Sequence, residues 1–247
     1  MSQPTVRTEP PQRPGHRRAR RRSYQQIWMP PLAMMAVIFL ATAVPPYLTG
    51  DPATSRIPLH RDYPLHYPLL VAHIAFGSVA LVAGCFQVWP WFRTRFRAAH
   101  RWIGRAYFFL GIFPGGIAVL GVSVVSTTGF VSSVGNTMLA LGWLVTGVAG
   151  YRAARQRRFA DHRAWMLRSV ALTTSIVLNR PWVALFVIIL DPGSDSLLGG
   201  SDVAAVQAAA GSAVWMSWVV NLLVVEWWLL RGRPASGQSR REARASR

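Results

Sequence analysis

The sequence predicts an all-α fold, a polytopic membrane protein with six transmembrane helices. Three observations carry that expectation. Only 15% of the 247 residues are charged while 51% are hydrophobic, and a soluble domain usually carries about a quarter charged. The charges are bunched, and between the bunches lie apolar runs of about 20 residues, the length that crosses a bilayer as helix. The basic bunches also fall in every second gap between runs, as they do when loops alternate between two sides of a membrane. Runs this long and uniformly apolar do not suit barrel strands, and a helix satisfies its own backbone groups in lipid.

Residues 1–26 hold four prolines and seven Arg, a composition that cannot bury a core and is expected to be disordered. This tail suits anionic lipid headgroups. The first span is expected at 27–48. Ala41-Thr42-Ala43 resembles a signal-peptide cleavage site, but the apolar stretch continues past it, which favours a retained helix. A polar loop at 49–65 leads to a second span at 67–89, closed by Trp89 and Trp91 as interfacial aromatics. After a basic loop comes a third span at 102–125. The turn Ser126-Thr127-Thr128-Gly129 separates it from a fourth at 131–151. A second basic loop precedes a fifth span at 165–190. An acidic, Gly-rich loop at 191–202 precedes the sixth at 203–230, and a basic tail, 231–247, is again expected to be disordered.

The Arg count settles the expected orientation. The N-tail, second loop, fourth loop and C-tail hold seven, five, six and six Arg, while the first, third and fifth loops hold two, none and none. Both termini are therefore expected in the cytoplasm of a bacterial cell, with the spans in its plasma (inner) membrane. This explains the net charge of +18 without nucleic acid as a partner. The chain has no Lys and one cysteine, Cys85, so neither an intrachain disulfide nor a multi-cysteine metal site is available.

The two basic loops echo each other. Arg93–Arg101 and Arg155–Arg163 coincide at five of nine positions under a shift of 62 residues, including His100-Arg101 and His162-Arg163. Spans two and three, and spans four and five, then form two parallel hairpin repeats around an axis along the membrane normal, making a four-helix bundle. In such a bundle spans three and five are diagonal neighbours, so His100 and His162 face each other at one depth. Two imidazoles so placed suit the iron of a b-type haem, with Arg101, Arg105, Arg163 and Arg168 near enough to hold its carboxylates. Two Arg-rich loops can also look alike because both obey one charge rule, with the histidines only touching headgroups.

Two further polar residues fall at membrane depth. His73 lies about 9 Å into span two from its outer end at 1.5 Å per residue. Arg180 lies about 15 Å from the outer end of span five, where a charge is costly and normally functional. Pro181 follows it and is expected to bend the helix. Together His73 and Arg180 suggest an outer ligand site for a quinone, a small anion or a lipid headgroup. The sixth span's Glu226 lies too near the inner end to reach Arg180. Position 135, the repeat partner of His73, is Gly, which argues against a second, outer haem.

The pieces His73-x3-Gly77, Gly84-x2-Gln87, His100-Arg101-Trp102-Ile103-Gly104-Arg105-Ala106-Tyr107 and His162-Arg163-x-Trp165-Met166-x-Arg168 resemble a family of bacterial integral membrane proteins, domain-of-unknown-function family 2306, over residues 67–190. That resemblance implies a membrane location and no defined activity. His100-x-Trp102-x-Gly104 is also similar to a helix start in transmembrane di-haem cytochromes of the ascorbate and ferric reductase type. That likeness implies electron transfer and departs from the pattern at Gly135. The functional expectations are a membrane oxidoreductase component with one haem and a redox or quinone partner, a transporter or ligand-binding protein using the outer site, or a structural membrane protein with no small ligand.

Overall fold

The computed structural model describes residues 28–60, 62–190 and 202–231. The tails expected to be disordered and the acidic loop lie outside the described residues, apart from Arg231 and Asp202. Among the described residues every long element is helical: α1 (Met29–Ala43), α2 (His66–Val88), the short α3 (Pro90–Arg95), α4 (Arg97–Val124), α5 (Phe130–Arg155), α6 (Phe159–Leu190) and α7 (Asp202–Arg231). Six of these are long and apolar enough to cross a membrane, α1 when its 3-10 extension to Tyr47 is included.

Local chemistry sets the ends. Pro45 and Pro46 stop α1 and tighten the chain into a 3-10 turn, since proline cannot donate into a continuing helix. Pro90 ends α2 in the same way, with Trp89 extended and Pro90 opening α3. Both helices that leave the Arg-rich end start earlier than the apolar runs predict, α4 at Arg97 and α6 at Phe159. His100 and His162 are therefore each the fourth residue of a helix, in identical register. The bend expected at Pro181 does not end α6, which runs through it to Leu190.

Helix α2 packs on α4, α4 on α5, α5 on α6, and α6 back on α2. These four close a square whose diagonals are α2–α5 and α4–α6, as the two-repeat reading requires. Helix α7 lies along α6 and α5, and α1 rests on α2 and α6.

Burial follows the rule for lipid-solvated bundles. The outside carries large apolar side chains such as Val37, Ile117, Val145, Ile188 and Leu223, each more than half exposed. The inside is rich in small residues, among them Ala80, Ala140, Ser169, Ala209 and Ala213. Lipid offers apolar side chains no reason to hide, so helices associate where small residues let backbones close in. Gly111 shows how close, since a Cβ there would stand 2.8 Å from that of Ala80. Gly111 belongs to a π-helical turn, Tyr107–Ile112, inside α4, a wider turn often found at functional positions.

Candidate functional site

Tyr107 is fully buried on the bundle diagonal, and its hydroxyl lies 2.9 Å from Ser169 Oγ and 2.7 Å from Thr173 Oγ1. The hydrogens in this cluster can be assigned by elimination. Trp143 Nε1 donates to Thr173 Oγ1 at 2.8 Å, and Thr173 spends its one hydrogen on the Ser169 carbonyl at 2.9 Å. Tyr107 must then donate to Thr173, and Ser169 must donate to Tyr107. Every hydroxyl hydrogen has one destination.

Tyr107 and Ser169 are 62 residues apart. They are equivalent positions of the two repeats, and equivalent residues touch only near the axis that relates them. Seven residues earlier on each helix stand His100 and His162. Seven residues is two turns, about 10.5 Å along a helix, with a rotation of only about 20°. The face that brings Tyr107 to Ser169 therefore turns the two imidazoles toward the same axis, two turns nearer the Arg-rich end.

There they line one cleft of about 350 Å³, with Gln87, Arg93 and Arg163 as its other strongly polar members and Trp28, Met166, Leu167, Val170 and Trp228 among its apolar walls. His162, Arg93 and Arg101 are close enough to His100 to act on it electrostatically. The two imidazoles are held differently. His162 Nδ1 donates to the Gly150 carbonyl at 2.9 Å, which leaves Nε2 as the lone-pair nitrogen. His100 Nδ1 is buried without a hydrogen-bond partner among the described residues. The main chain of His100 is fixed instead, because Gln87 Nε2 donates to its carbonyl at 2.9 Å. Gln87 reaches that carbonyl across Gly104, where a Cβ would come within 3.2 Å of its Oε1. The pieces Gly84-x2-Gln87 and His100-x3-Gly104 thus meet in space, a contact that their separation in sequence concealed.

The expected carboxylate-holding arginines part company here. Arg163 lines the cleft, with its guanidinium 5.2 Å from the Trp228 ring. Arg168 does not serve the cleft. It forms a two-point ion pair with Glu226 of α7, its Nη2 2.9 Å from Oε2 and its Nε bound to Oε1. Arg105 lies over the Trp102 ring at 4.7 Å, and Arg101 is exposed. Arg93 takes the place expected of these residues. In the basic loop outside the spans, burial first and Arg163 second pull the Arg93 guanidinium below its ordinary value. It was legible as one of the repeat's matching residues, but the helical α3 that turns it toward the cleft was not.

The chain belongs to the DUF2306 family of predicted membrane proteins. The family match runs over residues 70–229, which adds α7 to the 67–190 stretch on which the sequence motifs lie. No curated protein and no solved structure matches the chain.

At the opposite end of this DUF2306 protein, His73 Nδ1 is 3.0 Å from the Gly115 carbonyl of α4. Arg180 is exposed on α6, its guanidinium 5.7 Å from the Phe39 ring of α1. The expected outer site thus has its two members facing different neighbours. Gly135 has a packing reason: a Cβ there would come within 2.8 Å of Val214 and 3.0 Å of Trp215 Nε1. Helix α7 occupies the place where a second imidazole would have to stand. Among the described residues no group of three or more His, Cys, Asp or Glu could hold a metal ion by itself, so an iron at the cleft would need a macrocycle for its remaining ligands.

Proposed function

We propose that this protein is a membrane electron-transfer component that holds one b-type haem at its Arg-rich end, with His100 and His162 as axial ligands. One observation carries the reading: two equivalent imidazoles line one cleft, two turns above the point where the two repeats touch on their axis. The residues present fit the group in two respects. His162 has the second-shell arrangement of a ligating imidazole, with Nδ1–H on a backbone carbonyl and Nε2 left over. His100 has a buried Nδ1 with no partner among the described residues, an open position that a group bound in the cleft could meet.

When bound, the haem would supply one-electron redox chemistry, with a potential set by its axial ligands and their hydrogen bonds. The chain's own part is to orient and enclose. Gly150 fixes the His162 tautomer, Gln87 pins the His100 backbone, and Met166, Leu167 and Val170 keep water from the floor of the cleft. By the positive-inside rule the cleft faces the cytoplasm of a bacterial cell, with both termini on that side. Its electron partner would be cytoplasmic, or a quinone in the bilayer.

The test is an absorption spectrum of protein purified after haem-replete expression. A Soret band is expected in the wild type, with its loss in His100→Ala and in His162→Ala. His100→Met keeps a ligand but changes its element, and should shift the spectrum without abolishing it. Colourless wild-type protein that also fails to take up added hemin would sink the proposal.

A further inference from the structure

Arg93 and Arg163 line the same cleft, yet among the described residues that lining contains no carboxylate. They come from different elements, the short α3 and the start of α6, and they are near enough for Arg163 to act on Arg93. Two like charges brought together beside an apolar wall repel, and burial raises that cost. The rest of the lining sorts cleanly. Trp28, Met166, Leu167, Val170 and Trp228 make an apolar bed, and the two guanidiniums stand beside it with Gln87 and the imidazoles. Arg168, the next arginine along α6, is committed to Glu226, so the division of labour on that helix is already made.

We propose that Arg93 and Arg163 form a two-armed oxyanion cradle that takes the acidic group of an amphipathic ligand whose apolar body lies on this bed. Planar guanidinium forks suit carboxylate and phosphate oxygens, and two forks from separate elements can hold one acidic group from two sides. The cradle rests on the same cleft as the haem reading but not on the iron. Two sources supply this chemistry, a carboxylate borne by a macrocycle clasped between the histidines and the phosphate of an anionic phospholipid. The cradle also gives α3 a purpose. Pro90 ends α2 early, and the six-residue turn of helix that follows delivers Arg93 to the cleft.

The experiment compares two pairs of probes on the full chain in nanodiscs. The first pair is hemin against hemin dimethyl ester, identical but for the free carboxylates, followed by absorbance titration. The second pair is discs of pure phosphatidylcholine against discs with phosphatidylglycerol, with retained anionic lipid counted by native mass spectrometry. Wild-type protein should prefer the acidic member of at least one pair by about tenfold, the scale of a charge-assisted bond. Arg93→Gln and Arg163→Gln should each remove that preference, while Arg95→Gln, on the same short helix, should not. Arg93→Lys keeps the charge without the fork and should restore part of it, which separates loss of the cradle from loss of fold.

Preference for free hemin lost in the Gln variants assigns the acidic group to the macrocycle, and loss of phosphatidylglycerol retention assigns it to lipid. If hemin and its ester bind equally and phosphatidylglycerol is not preferred, the cradle is wrong even where the Soret band survives. If no hemin binds but phosphatidylglycerol retention depends on both arginines, the cradle stands and the haem reading falls.

Discussion

The two hairpin turns at the Arg-rich end share a sequence echo but are built differently. In the second, α5 runs straight to Arg155 and the chain reverses through a tight turn with Arg157 at φ 60°. In the first, α2 stops at Val88, and Pro90 opens an extra helix before α4 begins. The decisive pair is Gly150 and its counterpart Val88. A Cβ at Gly150 would come within 2.8 Å of Met166 Sδ, so α5 and α6 lie close enough for His162 to reach a main-chain carbonyl. Val88 carries a branched side chain at the equivalent place, and His100 Nδ1 has no partner among the described residues. The two turns thus hold an anchored imidazole and a freer one at matching positions.

That contrast can be broken from either side. Gly150→Val would make the second turn resemble the first, and it carries the largest expected effect on stability. The added methyls must displace Met166, at a cost of about 1–3 kcal/mol, and His162 loses its anchor. A lowered thermal midpoint in detergent, followed by tryptophan fluorescence, checks the first consequence, and a weakened or broadened haem spectrum checks the second.

Next comes the contact that holds the repeats together. Tyr107→Phe strands the Ser169 hydroxyl and removes a partner from Thr173, for about 1–3 kcal/mol. Combined with Ser169→Ala it should cost less than the sum of the single changes, because the two residues share one hydrogen bond. Additive losses in that cycle would show that the axis contact is not a working bond.

Gln87→Ala releases the His100 main chain on the first turn only. It should cost about 1 kcal/mol and disturb the spectrum through His100 while leaving His162 untouched, which nitrogen-selective magnetic resonance of labelled histidines can separate. The smallest effect belongs to the ion pair outside both turns. Arg168→Gln should cost about 1 kcal/mol, since Glu226 is 40% exposed and Arg168 20%, and it should not alter any pigment. A colour change in that variant would return Arg168 to the cleft.

The membrane architecture was legible because it rests on long averages, namely Arg alternation and run length, which single residues cannot upset. The repeat was legible for a different reason, a few identical residues at one fixed offset, and the four helices it relates close the expected square. What the pattern could not reveal was direction. Nothing in the sequence says that Arg168 faces Glu226 on α7 while Arg163, five residues earlier, faces the cleft. Helix phase near a terminus depends on where the first turn begins, and both helices begin before their apolar runs. Arg180 and His73 shared a depth in the sequence, and in the bundle Arg180 stands beside Phe39 while His73 meets the Gly115 carbonyl. Depth follows from counting residues, and facing follows from packing.

The closed ring of hydroxyls around Tyr107 has one more consequence. Each hydroxyl hydrogen finds its acceptor inside the bundle, on a neighbouring hydroxyl or on the Ser169 carbonyl. A cluster so paired can lie among apolar helices without the cost of a stranded polar group. Because its bonds run between α4, α5 and α6, sliding or turning one helix against the others would break several at once, so the cluster works as a register pin for the bundle.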